Sequence, residues 1–234
     1  MGVILKSCVF QFVKYHHQYH MTAGLHQLNT SSRIFLLESN NIYRNLAFET
    51  CLYQAGEKQL HSLNDDNNNN HKLPAHFTNI LLWRSNPCIV IGRFQNAWKE
   101  INSTVLRSKA LQLARRYSGG GAVYHDLGNL NISFMQPKRY LDRRKCMEFL
   151  QSVLQPLISS TNCIVHVGDR YDLWISEKQT DENALEASSS SKLGADMAYH
   201  HCTLLFDANL NNLSEVLKPT FVSYYYYYYK YDEN

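Results

Sequence analysis

The chain has 234 residues, 44% of them hydrophobic, and a formal net charge of +3. That length supports one substantial core and is marginal for two. So mild a basicity is no nucleic-acid signature, and no apolar run approaches the ~20 residues that span a bilayer.

Residues 1–31 contain Lys6, Lys14, several histidines and many hydroxyl and amide side chains, and the first acid of the chain is Glu38. An acid-free, weakly basic leader suits a mitochondrial transit peptide. "ESNNIYRNLAFETCLYQ" reads as a helix capped by Ser39 or Asn40, with Tyr43, Leu46, Ala47 and Cys51 on one face. "HSLNDDNNNNHK", residues 61–72, is too polar to bury and reads as a flexible surface insert. "NILLWR" and "PCIVIGRF" read as two strands of a hairpin around Ser85-Asn86-Pro87. "NSTVLRSKALQLARR" returns to helix, with Asn102 as cap and Leu106, Ala110, Leu113 and Ala114 at helical spacing.

"AVYHD" and "NLNISF" alternate like paired strands around Leu127-Gly128. "DRRKCMEFLQSVLQPLI" is an amphipathic helix with Met147, Leu150, Val153, Leu154 and Leu157 inward. "CIVHVGDRYDLWIS" reads as two short strands, "AYHHCTLLFDA" as one more, and "NLSEVLK" as a closing helix. On a strand His200 and His201 point to opposite faces, so at most one reaches a common site. Strands adjacent in sequence favour an α+β fold, a mainly antiparallel mixed sheet with helices packed on it. Two segments are atypical: residues 176–190, polar and serine-rich where a strand should continue, and the tyrosine-rich tail 220–234. The six cysteines show no CxxC spacing, which argues for reduced thiols and against a zinc site.

Between Ala114 and Phe134 lies "ARRYSGGGAVYHDLGNLNISF". Gly119, Gly120 and Gly121 permit positive φ and close approach of a ligand to the backbone. Successive N–H groups in such a loop form an anion-binding nest. Arg115 and Arg116 offer planar, bidentate donors, Ser118 a hydroxyl and His125 a polar ring. The set suits a carboxylate joined to a nucleotide phosphate. The plain alternative is a wide turn beside a solvated basic pair.

The longer string "RRYSGGGAVYHDLGNLNISF" resembles the signature of the lipoate–protein ligase and lipoyltransferase family. So do "LLWRSNPCIVIGRFQNAWKE" upstream and "GDRYDLWI" and "SKLGADMAYHHCTLL" downstream, four blocks in the family's order. The resemblance runs from about 33 to 219 and is strongest to the animal mitochondrial transferases. It implies the catalytic domain shared by biotin and lipoate ligases, here residues 32–219. It implies transfer of an activated lipoyl group, carried as lipoyl-AMP or a similar nucleotide, to one lysine of a lipoyl domain. The implied acceptors are acyltransferase subunits of 2-oxoacid dehydrogenase complexes and the glycine cleavage H protein, in the mitochondrial matrix, with the enzyme a monomer. Mg2+ is implied only if the chain activates lipoate itself. Arg116, Gly121, Ala122, Val123, Tyr124 and Asp172 would hold the nucleotide. Ser118, Gly119, Gly120, His125 and Lys192 would line the lipoyl site.

The chain departs from the family where a lysine belongs in a "KxSGxA" block. Ungapped alignment back from Ser191 puts Leu185 at that lysine and Ser188 at the glycine, and Lys178 is the nearest upstream lysine. Tyr171 replaces the asparagine of the "GRNDL" block, which leaves activation to another enzyme. These departures raise an alternative, a catalytically impaired protein that binds lipoyl compounds, or a truncated gene product. Two other enzymes fit less well. A biotin ligase needs a WPND-type block, and a thioester-forming octanoyltransferase needs a reactive thiol, for which Cys202 is the candidate.

Overall fold

The computed structural model describes residues 32–65, 77–159, 162–177 and 183–217. The expected leader, the insert beyond Asp65, Lys178 and the tyrosine-rich tail lie outside the described residues. A seven-stranded sheet carries the fold, in the order β1-β2-β6-β10-β9-β8-β7. Its strands are β1 (Arg33–Leu36), β2 (Asn79–Trp83), β6 (Asn129–Pro137), β7 (Cys163–Val167), β8 (Leu173–Glu177), β9 (Asn183–Leu193) and β10 (Met197–Leu205). A second sheet of three strands, β4-β3-β5, is built from β3 (Cys88–Ile91), β4 (Gln112–Arg115) and β5 (Val123–His125). Among the described residues only β1–β2 and β3–β4 pair in parallel. The α+β, antiparallel-rich expectation holds.

The two central strands are covered on both faces. Leu130, Ile132 and Phe134 of β6, with Cys202 and Leu204 of β10, join the core under the long helix α4 (Arg143–Leu157). That helix starts on Asp142, whose carboxylate accepts from the Lys145 N–H, and buries Cys146, Met147, Leu150 and Leu154 at helical spacing. The opposite face carries α1 (Ile42–Asp65), with Leu81, Trp83, Met135, Met197 and Tyr199 of the sheet in the same core as Ile42, Leu46 and Tyr53. The smaller elements are α2 (Ala97–Glu100), α3 (Ser103–Ser108) and α5 (Leu210–Val216).

Several local expectations are corrected. α1 is capped by Asn41, whose Oδ1 accepts from Tyr43 N and Arg44 N at 3.0 and 3.1 Å. It runs on to Asp65, so the first residues of the expected insert are helical. Its buried face is Ile42, Asn45, Leu46, Glu49 and Tyr53, whereas Tyr43 and Cys51 are exposed. The face was misread because two of its members are polar. β2 and β3 are not a hairpin, for they belong to different sheets. The chain crosses between them at Arg84–Asn86, held by Asn45 Nδ2 on the Arg84 carbonyl and Asn86 N on the Asn40 carbonyl. β5 and β6 likewise pair with β3 and β2 rather than with each other. The helix capped by Asn102 stops at Ser108; Ala110 takes φ 49° and the chain leaves as β4. The segment 183–190, expected to be atypical, completes β9 and pairs with β8 and β10.

Candidate functional site

The glycine loop links β4 to β5 and lies against the end of β3. A Cβ on Gly92 would run into the Gly120 carbonyl. Gly120 has φ 88°, a conformation that costs an L residue roughly 1–2 kcal/mol. At Gly119 and Gly121 a Cβ would meet nothing within 4 Å, so these two keep the loop surface open rather than the packing feasible.

Arg116 sits beneath this loop and is 4% exposed. Its Nε and one Nη donate to the Gly119 carbonyl at 3.0 and 2.7 Å, and the same Nη donates to the Gly121 carbonyl at 2.7 Å. The other Nη reaches Val90 O at 3.3 Å. Burial pulls its pKa down, against the opposing influence of Tyr199 and the Glu49 carboxylate. In a trans peptide the C=O and the following N–H point in opposite directions. Carbonyls drawn inward at Gly119 and Gly121 therefore turn the N–H groups of Gly120 and Ala122 away from the guanidinium. Arg116 thus holds the loop through its own carbonyls. Arg115 is spent elsewhere, on the carbonyls of Gly92, Arg93 and Gln95.

Below the loop, on the α1 face of the large sheet, lies a buried polar cluster. Glu49 Oε2 accepts from Ser133 Oγ at 2.6 Å and stands 3.6 Å from His201 Nδ1. Burial alone would raise the Glu49 carboxyl. The hydrogen bond and charge of His201, with the hydroxyls of Ser133 and Tyr199, outweigh it and hold the group below the usual range. Burial and the Glu49 charge push the Tyr199 phenol up, and Ser118 is among its neighbours. Thr203 Oγ1 donates to Asn131 Oδ1 at 2.9 Å. His125 stacks edge-on against Trp83, with ring centroids 5.7 Å apart. Burial, then the charges of His201 and Arg116, drop its pKa to about 3, so it is a neutral ring. Both of its nitrogens, Trp83 Nε1 and Asn131 Nδ2 are buried with no protein partner among the described residues.

Lys192 of β9 pairs in register with Tyr199 and lies on the same side of the sheet. Its Nζ is 2.8 Å from the Tyr117 ring centroid and 4.5 Å from that of Tyr53. This cation–π contact fixes the ammonium one residue from the start of the glycine loop. The tip that follows is tight, for a Cβ on Gly194 would meet the Tyr53 hydroxyl.

Of the residues singled out by sequence, Arg116, Ser118, Gly119, Gly120, Gly121, His125 and Lys192 gather around one loop. Val123 and Tyr124 serve mainly as strand β5; Tyr124 is buried, and its hydroxyl accepts from Asn212 Nδ2 at 3.2 Å. Ala122 belongs to the apolar cluster around Ile89 and Ile91. Asp172 lies in the β7–β8 turn, against Gly168, with Oδ1 buried and unpaired. By register its level on β9 is about 13 Å along the strand from Lys192, at ~3.3 Å per residue. Leu185 pairs with Ile175, a member of the α4 core. His201 points to the loop side, while His200 is buried on the other face, where burial first, then the charges of His201 and Arg143, bring its pKa to about 4. Cys202 is fully buried, and burial raises its thiol far above the reactive range, which removes the thioester mechanism. Sequence reading missed Glu49, Tyr199, Asn131 and Ser133. For Asn131 and Ser133 the signal was a polar alternation, "NLNIS", on a strand long enough to be central; Glu49 and Tyr199 carried none.

A family model described as the lipoyl protein ligase A/B catalytic domain matches residues 41–223. The mitochondrial lipoyl amidotransferase LIPT1 of Mus musculus is 35% identical over 199 residues, 85% of this chain and 47% of that protein. The Homo sapiens LIPT1 is 33% identical, with the same coverage of each. The chain thus spans about half the length of these curated relatives. LipL1 of P. falciparum, solved in complex with lipoate, superposes with a TM-score of 0.60 at 28% identity, over 81% of this chain and 52% of that one. Four motifs in order, the two-sheet frame around the glycine loop and the matched family model agree: the chain belongs to the lipoyl protein ligase A/B catalytic-domain family.

Proposed function

We propose that the chain transfers a lipoyl group from a lipoyl-nucleotide to a lysine of a lipoyl domain, in mitochondria. The observation that carries this reading is Arg116, which takes the Gly119 and Gly121 carbonyls inward and leaves loop N–H groups facing out. Such preorganised donors suit a phosphate or a developing oxyanion. The 28%-identical relative is solved with lipoate, and the amidotransferases of mouse and man give the reaction its class. The buried Glu49–Ser133–His201–Tyr199 cluster, with unpaired groups on His125, Trp83 and Asn131, supplies a partly polar chamber for the acyl tail.

In the reaction, the neutral acceptor amine attacks the acyl carbon. A C–N bond forms, the bond from acyl carbon to phosphate oxygen breaks, the nucleoside monophosphate leaves and the amine proton passes to solvent. Loop amides stabilise charge on the carbonyl oxygen, and Lys192 stabilises the departing phosphate. Losing one such donor costs about 3–4 kcal/mol of barrier. Asp172 would serve the nucleotide end. Mg2+ enters only if the chain also makes the acyl nucleotide. The acceptors of this reading are the lipoyl domains of 2-oxoacid dehydrogenase complexes and the glycine cleavage H protein.

The test mixes the chain with lipoyl-AMP and an apo lipoyl domain and reads the acceptor's intact mass. A lipoyl adduct absent without enzyme, and reduced at least a hundredfold in rate by Arg116→Gln, is the expected result. No adduct while lipoyl-AMP binds would reduce the chain to a binding protein.

A further inference from the structure

One surface of the molecule lies beside the site described above and shares with it only the β7–β8 turn that carries Asp172. Lys138, Arg139, Arg143, Arg144, Lys145 and Arg170 are all exposed and crowd the start of α4 and the β7–β8 turn. Five acids lie among or beside them, including Asp172 of the β7–β8 turn and Asp196 of the β9–β10 turn. Asp142 is committed to capping α4, Asp169 stands 3.8 Å from Arg144, and Glu148 is one turn further along the helix. Arg143 lies 4.2 Å over the Tyr171 ring, which brings the turn and the helix start together. A cluster of this kind raises the local potential in a chain whose net charge is only +3.

Its position matters as much as its charge. Lys138 N donates to the Asp196 carbonyl at 2.7 Å, so the basic segment is tied to the β9–β10 turn. That turn follows Lys192, whose ammonium lies on Tyr117 beside the glycine loop. The patch therefore flanks the end of the sheet at which an acceptor lysine would arrive. Two rings lie within it, each with a guanidinium over one face: Arg139 over Tyr140 at 4.7 Å and Arg143 over Tyr171.

We infer that the Lys138–Lys145 segment and Arg170 form the docking surface for an acidic face of the acceptor protein. The inference rests on the transferase reading and adds to it the place where the protein substrate is held. Opposite charges across such a rim speed encounter and set orientation. The occupant is a folded acidic domain that presents its lysine over the β9–β10 turn.

The test measures binding of the full chain to a fluorescent apo lipoyl domain by anisotropy, which requires no transfer. Wild type should weaken at least tenfold between about 50 and about 300 mM salt, as screening shortens the range of the field. The triple variant Arg143→Glu/Arg144→Glu/Lys145→Glu should bind at least tenfold more weakly at low salt and lose most of the salt dependence. The pair Lys138→Glu/Arg170→Glu gives a second, independent reading should the triple variant misfold. Arg107→Glu, on α3, should change nothing. Lipoyl-AMP affinity, measured alongside in every variant, keeps this result separate from failure of the acyl site: acceptor binding should fall by more than lipoyl-AMP binding does. Equal binding by wild type and both reversed variants overturns the inference. So does a loss confined to duplex oligonucleotide or phosphatidylserine vesicles, which would assign the patch to another polyanion.

Discussion

Two glycines of the loop have different reasons to be glycine, and the difference can be measured. Gly120 needs its positive φ of 88°. Gly119 has room for a Cβ and no strain, so its openness is of use only to something that approaches from outside. Gly120→Ala should therefore lower unfolding free energy by about 1–2 kcal/mol in a urea titration. Gly119→Ala should leave stability within about 0.5 kcal/mol yet weaken lipoyl-AMP binding at least tenfold. Equal binding by wild type and Gly119→Ala would mean that no ligand comes close to that backbone. The run "RRYSGGG" was legible because glycines beside arginines are a chemical statement at any position. The role of Arg116 was only half legible, for a sequence cannot say whether a guanidinium faces the ligand or the loop's own carbonyls. Glu49 was invisible, because the helical face that holds it was sought by apolar spacing and it interrupts that spacing.

At the level of elements, the strands were found more reliably than their partners. The two short strands read in "CIVHVGDRYDLWIS" are β7 and β8, and they pair with each other across the short Gly-Asp turn. The pairs β2/β3 and β5/β6 were not, because each crosses from one sheet to the other through contacts remote in sequence, such as Asn45 on the Arg84 carbonyl. The serine run of β9 looked unlike a strand, as it carries no apolar alternation; its pairing with both β8 and β10 supplies what composition withholds. β9 has a functional consequence, for its register sets Lys192 beside Tyr199 and against Tyr117. A cation–π contact is worth roughly 0.5–2 kcal/mol, so Lys192→Met should change stability by no more than that. If the ammonium serves the leaving phosphate, the same variant should slow transfer by about 10²–10³, with Lys192→Arg recovering part of the rate. A variant that loses stability and rate in proportion would make Lys192 a strut for Tyr117 and nothing more.

Across the whole molecule, buried titratable groups occupy both faces of the large sheet, and they set how the fold responds to acid. His125 lies on the loop side near Arg116 and His201, with a pKa of about 3, and His200 lies on the α4 side near Arg143, at about 4. In the unfolded chain each returns to about 6.5. Between pH 6.5 and 4 the unfolded state therefore binds two protons that the folded state refuses, and stability must fall as pH falls. Each histidine contributes up to about 1.4 kcal/mol per pH unit over that window. Glu49, held below its ordinary range, acts with the same sign at lower pH, since the unfolded carboxyl is protonated first. A domain of ordinary stability holds about 5–15 kcal/mol, so a large share should be gone by about pH 4.5, before ordinary carboxylates are half protonated. Urea midpoints taken from pH 7.5 to 4.5 would give the slope. His200→Leu removes a group with no place in the loop site, and should flatten the slope by close to one proton while leaving lipoyl-AMP binding intact. His125→Leu should flatten it equally and, if the ring borders the acyl site proposed beneath the loop, weaken binding as well. An acid slope that neither substitution alters would mean that these rings are hydrated and charged in the folded protein, and the chamber beneath the glycine loop would then be wet rather than closed.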